Sequence, residues 1–464
     1  MIKNKKFIAV ICIVALLIIV GVIILFNTDR GPSLQESVDQ RVSAYETDLK
    51  DSMGSFKVKA SFTKYLVNWA ESKSIEVSTD YYGNVIYNIP ATKKVADKNP
   101  IVLICGYDYK CMDSYINSIV TALSVSKTTA EHENLKIIFV SENENDRDGI
   151  KNLSSEYFTK DTETFYLKDM NKSRLSLVTG GYQQYSISKD YQQTAPKKSK
   201  AYTIKIKGIT ANSVNHSSVE NPNPIEQLGK LLAKFKSNYI NFELASFTGG
   251  SAANITPSSA TMTIIVDDDA TTKLEKVLNS DIETFNEQYS EKYPNAQYTF
   301  KVSKKPKQVV DKDVSEQLVS FMYTLINGVY STEDEEVTSM VNIGKISIEE
   351  GHISLEALAS SHDKKALSEI KSAYRTICVL ADMEFTVSDK GSIFNANEKS
   401  SAVAEQFKND YKDFKGNDVK INNMAESTPC SILCEKNSKM SIVVLGISKK
   451  TKDDFTGALI NHMQ

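Results

Sequence analysis

The sequence predicts an α/β protein: a mostly parallel sheet domain interrupted by an inserted α+β domain and preceded by one transmembrane helix. Three observations predict this fold class. An uncharged apolar run occupies Phe7–Phe26, β-rich runs alternate with helical patterns from Asn84 to Val140, and two β-α-β-β-α-β series follow from Ala201 to Asp389. Because 464 residues exceed what one compact core accommodates, more than one domain is expected.

Composition argues against two broad classes of protein. The formal net charge is -3, from 55 Lys+Arg against 58 Asp+Glu, and 41% of the residues are hydrophobic. A phosphate-seeking basic surface and a disordered chain are both disfavoured, so we expect no nucleic-acid partner. The cysteines outside the N-terminal run are too scattered for a disulfide framework, and Cys430 and Cys434 are either a weak metal or redox pair or two buried thiols.

The N-terminal apolar run has the length of a membrane span. At about 1.5 Å per residue it covers roughly 30 Å, the thickness of a bilayer's hydrocarbon core. Three lysines precede it and Asp29 follows, which predicts a cytoplasmic tail at residues 1–6, a transmembrane helix at 7–26 and a linker at 27–33. A cleaved signal peptide is the alternative, but the run exceeds an ordinary signal h-region and no A-x-A site follows it. The expected location is therefore the cell membrane, single-pass, with the C-terminal domains outside the cytoplasm.

The first part of the sheet domain is predicted over residues 34–195. Helical patterns at Leu34–Asp51 and Ser61–Ser72 precede the alternating segment, whose strands and helix lie at Asn84–Ile89, Ile101–Cys105, Tyr115–Ser126 and Lys136–Val140. Strands that alternate with helices favour a parallel sheet covered on both faces.

A break at Ala195–Ser199 predicts a linker into an inserted domain, residues 196–390. Its first half is predicted as strand, helix, strand, strand, helix, strand, at Tyr202–Lys207, Pro224–Phe235, Phe242–Ser246, Met262–Val266, Ala270–Gln288 and Tyr298–Ser303. The second half repeats the order, with its first strand unclear, at Val314–Leu325, Val337–Ile346, His352–Ser360, Lys364–Ala381 and Glu384–Asp389. Residues 391–464 then rejoin the first sheet, with a helix at Ser401–Phe414 and strands at Asp418–Asn422 and Ser441–Gly446.

Four stretches carry a resemblance to a known family. They are Leu244–Ala260 (LASFTGGSAANITPSSA), Tyr81–Thr92, Asn327–Ile346 and Ser392–Tyr411, and they fall in family order. In these stretches the chain resembles the aminoacyl-histidine dipeptidases, the peptidase D branch of the two-zinc aminoacylase and carboxypeptidase G metallopeptidases. The resemblance implies a zinc-peptidase-like α/β domain, an inserted lid domain and a homodimer formed through the lid. The implied chemistry is dipeptide hydrolysis by a water shared between two zinc ions, with a neighbouring glutamate as the base.

The residues at the family's zinc-ligand positions depart from its pattern. Where the H-x-D motif places a histidine the chain has Gly106, although the orienting aspartate persists as Asp108. The bridging aspartate corresponds to Ser114, and Asp113 would fit only after a register shift. Another aspartate ligand survives as Asp169, whereas the histidine expected near the C-terminus has no counterpart.

The base and lid positions depart as well. Of two adjacent family glutamates, the base position holds Asn143, whose amide cannot accept a proton near neutral pH, and the ligand position holds Glu144. A substrate-contacting lid histidine corresponds to Ser213, with His216 shortly after it, and the lid arginine is lost while Asn254 is retained. The resemblance therefore leaves Asn254 and His216 as candidate substrate-binding residues.

Together these losses predict a non-catalytic homologue without a resident cofactor. It would act as a peptide-binding, scaffolding or regulatory protein whose partners are the membrane, through the N-terminal helix, and peptides or another protein. Asp108, Glu144 and Asp169 make a weak zinc site without imidazole, although Ca²⁺ or Mg²⁺ could use them. One alternative is an active zinc dipeptidase with rearranged ligands, such as Asp113, Glu144, Asp169 and His216. The other is a purely structural, dimeric surface protein.

Overall fold

A computed structural model describes residues 33–92, 99–141, 148–214 and 216–464. The transmembrane helix expected at residues 7–26 lies outside these residues, as do Asn143 and Glu144, and only the backbone of His216 is described. Within the described part of the chain, no helix is both long and apolar enough to cross a membrane.

The described residues form two large sheets and the helices that cover them. In chain order the helices are α1 Leu34–Met53, α2 Lys59–Ser72, α3 Ile116–Val125, α4 Asp148–Lys151, α5 His216–Val219, α6 Pro224–Ser237, α7 Thr271–Tyr289, α8 Lys312–Thr324, α9 Lys364–Leu380, α10 Glu398–Lys415, α11 Cys430–Lys436 and α12 Lys452–His462. The strands are β1 Glu76–Thr79, β2 Val85–Ile89, β3 Ile101–Tyr107, β4 Leu135–Ser141, β5 Glu163–Asp169, β6 Arg174–Ser176, β7 Val178–Asp190, β8 Gln193–Thr194, β9 Lys200–Lys207, β10 Phe242–Gly250, β11 Ala260–Val266, β12 Gln297–Ser303, β13 Val309–Val310, β14 Gly328–Glu333, β15 Glu336–Glu349, β16 His352–Ser361, β17 Glu384–Gly391, β18 Phe394–Asn395, β19 Met424–Ser427 and β20 Ser441–Ile447.

The first sheet confirms the expected mostly parallel α/β arrangement. Its seven strands lie in the order β1-β2-β4-β3-β5-β20-β6, and the four central strands run parallel. Strand β3 is buried along its whole length, as a strand covered on both faces has to be. One face packs on α1, α2, α3, α10 and α12, and the other on α4 and α11. The chain's single tryptophan, Trp69, lies in this core and stacks on Tyr87 with ring centroids 6.1 Å apart.

The second sheet, which with α6 to α9 we call the lid, is largely antiparallel. Its main path is β12-β9-β11-β10-β15-β16-β7-β17, and its buried face packs on the four helices. Two halves of the same strand and helix order join where residues 247–250 of β10 pair with residues 345–348 of β15. The predicted pair of β-α-β-β-α-β halves is therefore present. Strand β15 of the second half pairs with the outer edge of β10.

The first strand of the second half, which the sequence pattern leaves unclear, is β7. It precedes the linker at Ala195–Ser199, within the range expected for the first domain, yet it pairs with β16 and β17 in the lid sheet. Alternation explains the placement, because Tyr185 and Ile187 are buried while Ser186 between them is not, as in a strand with one covered face.

The predicted strand at Asp418–Asn422 is wrong. In its place a single isolated bridge joins Ile421 to Leu175 of β6. Strand β6 has only three residues, so it offers a short edge for pairing. The C-terminal helix α12 is absent from the sequence prediction, and it packs against α10 to complete the first core.

Candidate functional site

A cleft opens between the first sheet and the lid. It contains about 690 Å³ of empty space, its open mouth included. The first domain contributes Tyr115, Val140, Ser141, Ile150, Lys168, Ser427, Thr428 and Pro429 to the wall, and the lid contributes Ser213, Val214, Asn254, Leu358 and Ser360. Ser141 and Lys168 come from the carboxyl ends of parallel strands, the edge at which α/β proteins bind their ligands.

Strand β3 brings Gly106 and Asp108 to this edge without assembling a metal site. Gly106 pairs with Val140 inside the buried strand and has no side chain to offer. Asp108 is buried, and its carboxylate accepts the backbone N–H of Lys110 at 2.9 Å. Burial raises the pKa of this carboxyl, and the N–H and charge of Lys110 oppose the rise. Asp108 therefore closes the turn after the strand.

Asp169 caps the N-terminus of α3. The helix begins at Ile116 without a capping side chain of its own, and the two carboxylate oxygens of Asp169 accept the N–H groups of Asn117 at 2.8 Å and Ser118 at 2.6 Å. A carboxylate is favourable there because it satisfies free N–H groups at the positive end of the helix. Asp169 is only partly covered as a residue, but its carboxylate is enclosed. This burial raises the pKa of the carboxyl to about 6, although the hydrogen bonds from α3 and the charge of Lys168 act to lower it.

Ser114 connects the first domain to the lid. Its hydroxyl accepts the backbone N–H of Ser213 at 3.0 Å and donates to Oδ1 of Asn212 at 3.4 Å. Ser213 in turn forms an antiparallel bridge with Ile255. Where the resemblance places a metal-bridging carboxylate, a neutral hydroxyl thus holds a segment of the lid against the first sheet.

The two lid candidates differ in what the structure says of them. Asn254 lines the cleft, and its Oδ1 is buried without a hydrogen-bond partner among the described residues. Its carbonyl oxygen accepts the N–H of Val214 at 2.9 Å, which fixes the segment that carries Ser213. His216 opens the short helix α5, two residues after Val214.

Three other histidines make contacts away from the cleft. His132 is buried with Nδ1 2.8 Å from a neighbouring carbonyl oxygen, His352 contacts an aspartate on the lid sheet, and His462 lies between two carboxylates at the end of α12. Asp113, the alternative bridging residue, is exposed. Within the described ranges, no three His, Cys, Asp or Glu side chains are grouped so that they could hold a metal.

The described ligand positions do not fit a zinc ion. Gly106 supplies no donor, Ser114 supplies a neutral hydroxyl with two hydrogen bonds, and both oxygens of Asp169 already accept helix N–H groups. Zinc in proteins prefers thiolate, imidazole and free carboxylate donors that converge on one point. We therefore derive no chemical step through a metal.

Sequence reasoning missed two polar residues of the cleft. Lys168 lines it from the end of β5, and Ser141 lines it from the end of β4, where only 2% of the serine is exposed. The hydroxyl of Ser141 has no hydrogen-bond partner within the described residues. The signal was present, since a lysine in FYLKD and a serine ending IIFVS each interrupt a buried strand.

Comparison with known proteins identifies the class. Residues 194–293 match the family model described as the peptidase dimerisation domain of M20 peptidases. The chain is 21% identical over 336 residues to the cytosol non-specific dipeptidase of Escherichia coli strain K12. This match covers 64% of this chain and 69% of that relative. Its fold is that of the aminoacylhistidine dipeptidase from Vibrio alginolyticus, with a TM-score of 0.57 at 18% identity over 87% of this chain and 92% of that one.

The fold class is thus an α/β peptidase fold with a dimerisation domain. Residues 194–293 thus match a peptidase dimerisation domain, and the chain is similar in sequence and in fold to two dipeptidases.

Proposed function

We propose that this protein is a non-catalytic dipeptidase homologue whose cleft binds peptides without hydrolysing them. The observation that supports the proposal is the pair of hydrogen bonds between Ser114 and the lid, one accepted and one donated by its hydroxyl, at the position where a hydrolase needs a metal-bridging carboxylate. The capping role of Asp169 adds to it, because a carboxylate with both oxygens hydrogen-bonded is a poor metal ligand.

Metal content and hydrolysis together test the proposal. The full chain, purified without chelators and then given excess zinc, is expected to retain far less than one zinc ion per chain and to leave dipeptides intact. The Escherichia coli dipeptidase, treated identically, controls for the assay. About two zinc ions per chain, with hydrolysis that Glu144→Ala abolishes, would overturn the proposal in favour of rearranged ligands.

Ligand binding distinguishes the proposed peptide-binding protein from the alternative of a purely structural protein. A peptide that binds only the folded chain raises its apparent unfolding temperature, whereas a structural protein shows no shift with any dipeptide.

The match to a dimerisation domain supports a homodimer through the lid, which light scattering measures as twice the chain mass. Since β15 occupies the edge of β10, such a dimer has to use another lid surface.

We further propose that residues 7–26 anchor the chain and place its folded domains outside the cytoplasm. The length of the apolar run and the lysines before it support this orientation. The full chain is expected to stay in the membrane pellet after alkaline carbonate extraction, while a chain starting at Ser33 is released. Release of the full chain as well would contradict an anchor.

A further inference from the structure

The lid carries a basic surface on a chain that is acidic overall. Residues 197–207 contain five lysines and residues 301–307 contain four, and neither segment contains an Asp or Glu residue. Because the formal net charge of the whole chain is -3, the rest of the chain is more acidic than the whole. A molecule with charge separated in this way takes up a preferred orientation beside a charged surface.

The strand register places three of these lysines on the sheet face that the lid helices leave open. Ile204 belongs to the lid core, so its neighbour Lys205, and with it Lys207, points to the opposite face of β9. Lys301 of β12 pairs with Thr203, and it therefore lies on the same open face, one strand away. All three lysines are exposed, and none of them forms an ion pair with a described residue.

Three more exposed lysines, Lys304, Lys305 and Lys307, follow β12 on the same side of the sheet. They lie in the segment that leads to β13, and Val309 of β13 packs on Ala201 of the open face. The segment therefore crosses from the sheet edge to this face. We call the following six residues the lysine face: Lys205, Lys207, Lys301, Lys304, Lys305 and Lys307.

Protection of the sheet edge does not account for all of these lysines. Strand β12 ends the lid sheet, and a charged side chain such as Lys301 there discourages pairing with another chain. Lys205 and Lys207, however, lie on β9, which is paired on both of its edges. The three strands β9, β11 and β12 also contain no Asp or Glu residue that would neutralise them. A surface with many negative charges is the partner that fits this pattern.

The proposed anchor brings one such surface within reach. The predicted linker, residues 27–33, spans at most about 25 Å when fully extended, so it keeps the folded domains beside the bilayer. A tether of this length limits the distance of the domains from the bilayer but does not fix their orientation. The lysine face supplies the orientation, because anionic headgroups attract lysines within about 10 Å and repel the acidic remainder of the chain.

We propose that the lysine face docks on the anionic lipid headgroups of the bilayer that holds the N-terminal helix. The inference rests on the anchor proposed above and adds the surface of the lid that faces the membrane. None of the six lysines lines the cleft, so docking does not depend on what the cleft binds.

Acetylation of the full chain in lipid vesicles tests the proposal, with the rate at each lysine measured by mass spectrometry. On vesicles that contain phosphatidylglycerol, at about 0.1 M salt, the lysine face is expected to react at least about fivefold more slowly than on pure phosphatidylcholine vesicles. In about 1 M salt, where the Debye length falls to about 3 Å, the difference should disappear. Lys276, which is exposed on the helix side of the lid, should react equally on both kinds of vesicle.

Two triple variants show whether the charge of the face causes the protection. The first variant replaces the three lysines on the strands: Lys205→Gln, Lys207→Gln and Lys301→Gln. It should stay in the membrane while the remaining lysines of the face lose their protection. The matched control replaces three exposed lysines elsewhere in the lid and should keep the protection: Lys364→Gln, Lys365→Gln and Lys390→Gln. The unfolding temperature of each variant is measured first.

The outcomes separate this inference from the proposed anchor. Equal acetylation on the two kinds of vesicle, with the chain retained after carbonate extraction, would overturn the lysine face and leave the anchor in place. Stronger protection by soluble polyphosphate in neutral detergent than by anionic vesicles would overturn the bilayer as the partner. Release of the full chain by carbonate would overturn both, since the inference depends on the anchor.

Discussion

At the scale of single residues, His462 is a buried imidazole held between two carboxylates of the first domain. Its ring lies 2.6 Å from a carboxylate oxygen of Asp410 and 3.0 Å from one of Glu163, and it is perpendicular to the ring of Phe165. Burial alone would lower the pKa of the imidazole, but the hydrogen bonds to Asp410 and Glu163 outweigh it and raise the pKa to about 9. The charged imidazole therefore joins α12 to α10 and β5.

The raised pKa sets the direction of a pH effect on stability. In the unfolded chain a histidine titrates at about 6.5, so the stabilisation from His462 is fully present below about pH 6.5. It is lost as the pH rises from there through about 9, the value in the folded protein.

We expect His462→Gln to lower the free energy of unfolding by about 3 kcal/mol at pH 6 and to flatten its decline between pH 6.5 and 9. Urea unfolding followed by the fluorescence of Trp69 measures this, because the only tryptophan lies in the same core. His352→Gln is the matched control: its 2.6 Å contact with Asp190 is exposed and should contribute less than about 1 kcal/mol. An unchanged slope with pH in the His462 variant would show that the contact carries no charge.

At the scale of elements, most helices and strands follow from their patterns. Helix α6 begins at Pro224 as predicted, because the side chain of Asn223 accepts two N–H groups of the first turn and proline suits the first helical position. It ends at Ser237, two residues later than predicted. Strands of the first sheet were equally readable, since buried parallel strands are continuous apolar runs. The role of strand β7 could not be predicted in this way, because its pairing partners β16 and β17 lie more than 150 residues further along the chain.

The cap on α3 gives a prediction at this scale. Asp169→Ala removes the acceptor for two N–H groups, so hydrogen exchange at Asn117 and Ser118 should accelerate about tenfold, with EDTA present throughout. Exchange resolved to single residues measures it. Asp113→Ala, an exposed aspartate just before the same helix, should leave both rates unchanged. If Asp169→Ala changed neither rate, the carboxylate would be free to serve as a ligand.

At the scale of the whole molecule, the lid and the first domain meet around the cleft. Ser114 holds Ser213 from one side, and Ser360 of the lid donates to the carbonyl oxygen of Ala425 at 2.6 Å on the other. The continuous β7 belongs to both regions, since Thr179 near its start pairs with β18 and β19 while its later residues build the lid sheet. The lid is therefore tied to the first sheet by covalent chain and by hydrogen bonds.

The sequence by itself determined the two-sheet architecture, the order of most elements and the absence of ligand atoms at Gly106. Residue type and local periodicity predict the elements, which can be read without knowing what a residue contacts, and the dipeptidase resemblance implies the fold and the position that Gly106 occupies. Asp108 and Asp169, which the sequence proposed as site residues, lie at the expected strand ends, but the sequence did not predict the hydrogen bonds that their carboxylates accept. A carboxylate becomes a turn or helix cap, or a metal ligand, according to the groups that surround it.

Only the tertiary structure decided how these residues are used. Ser114 contacts Ser213, which is 99 residues away, and Lys168 shares a cleft with Asn254 because two separate sheets bring them together. Such contacts depend on how the sheets pack, and no local pattern encodes the distance between side chains from different domains. Hence the cleft between the first sheet and the lid follows from the fold, while the dipeptidase resemblance follows from the sequence.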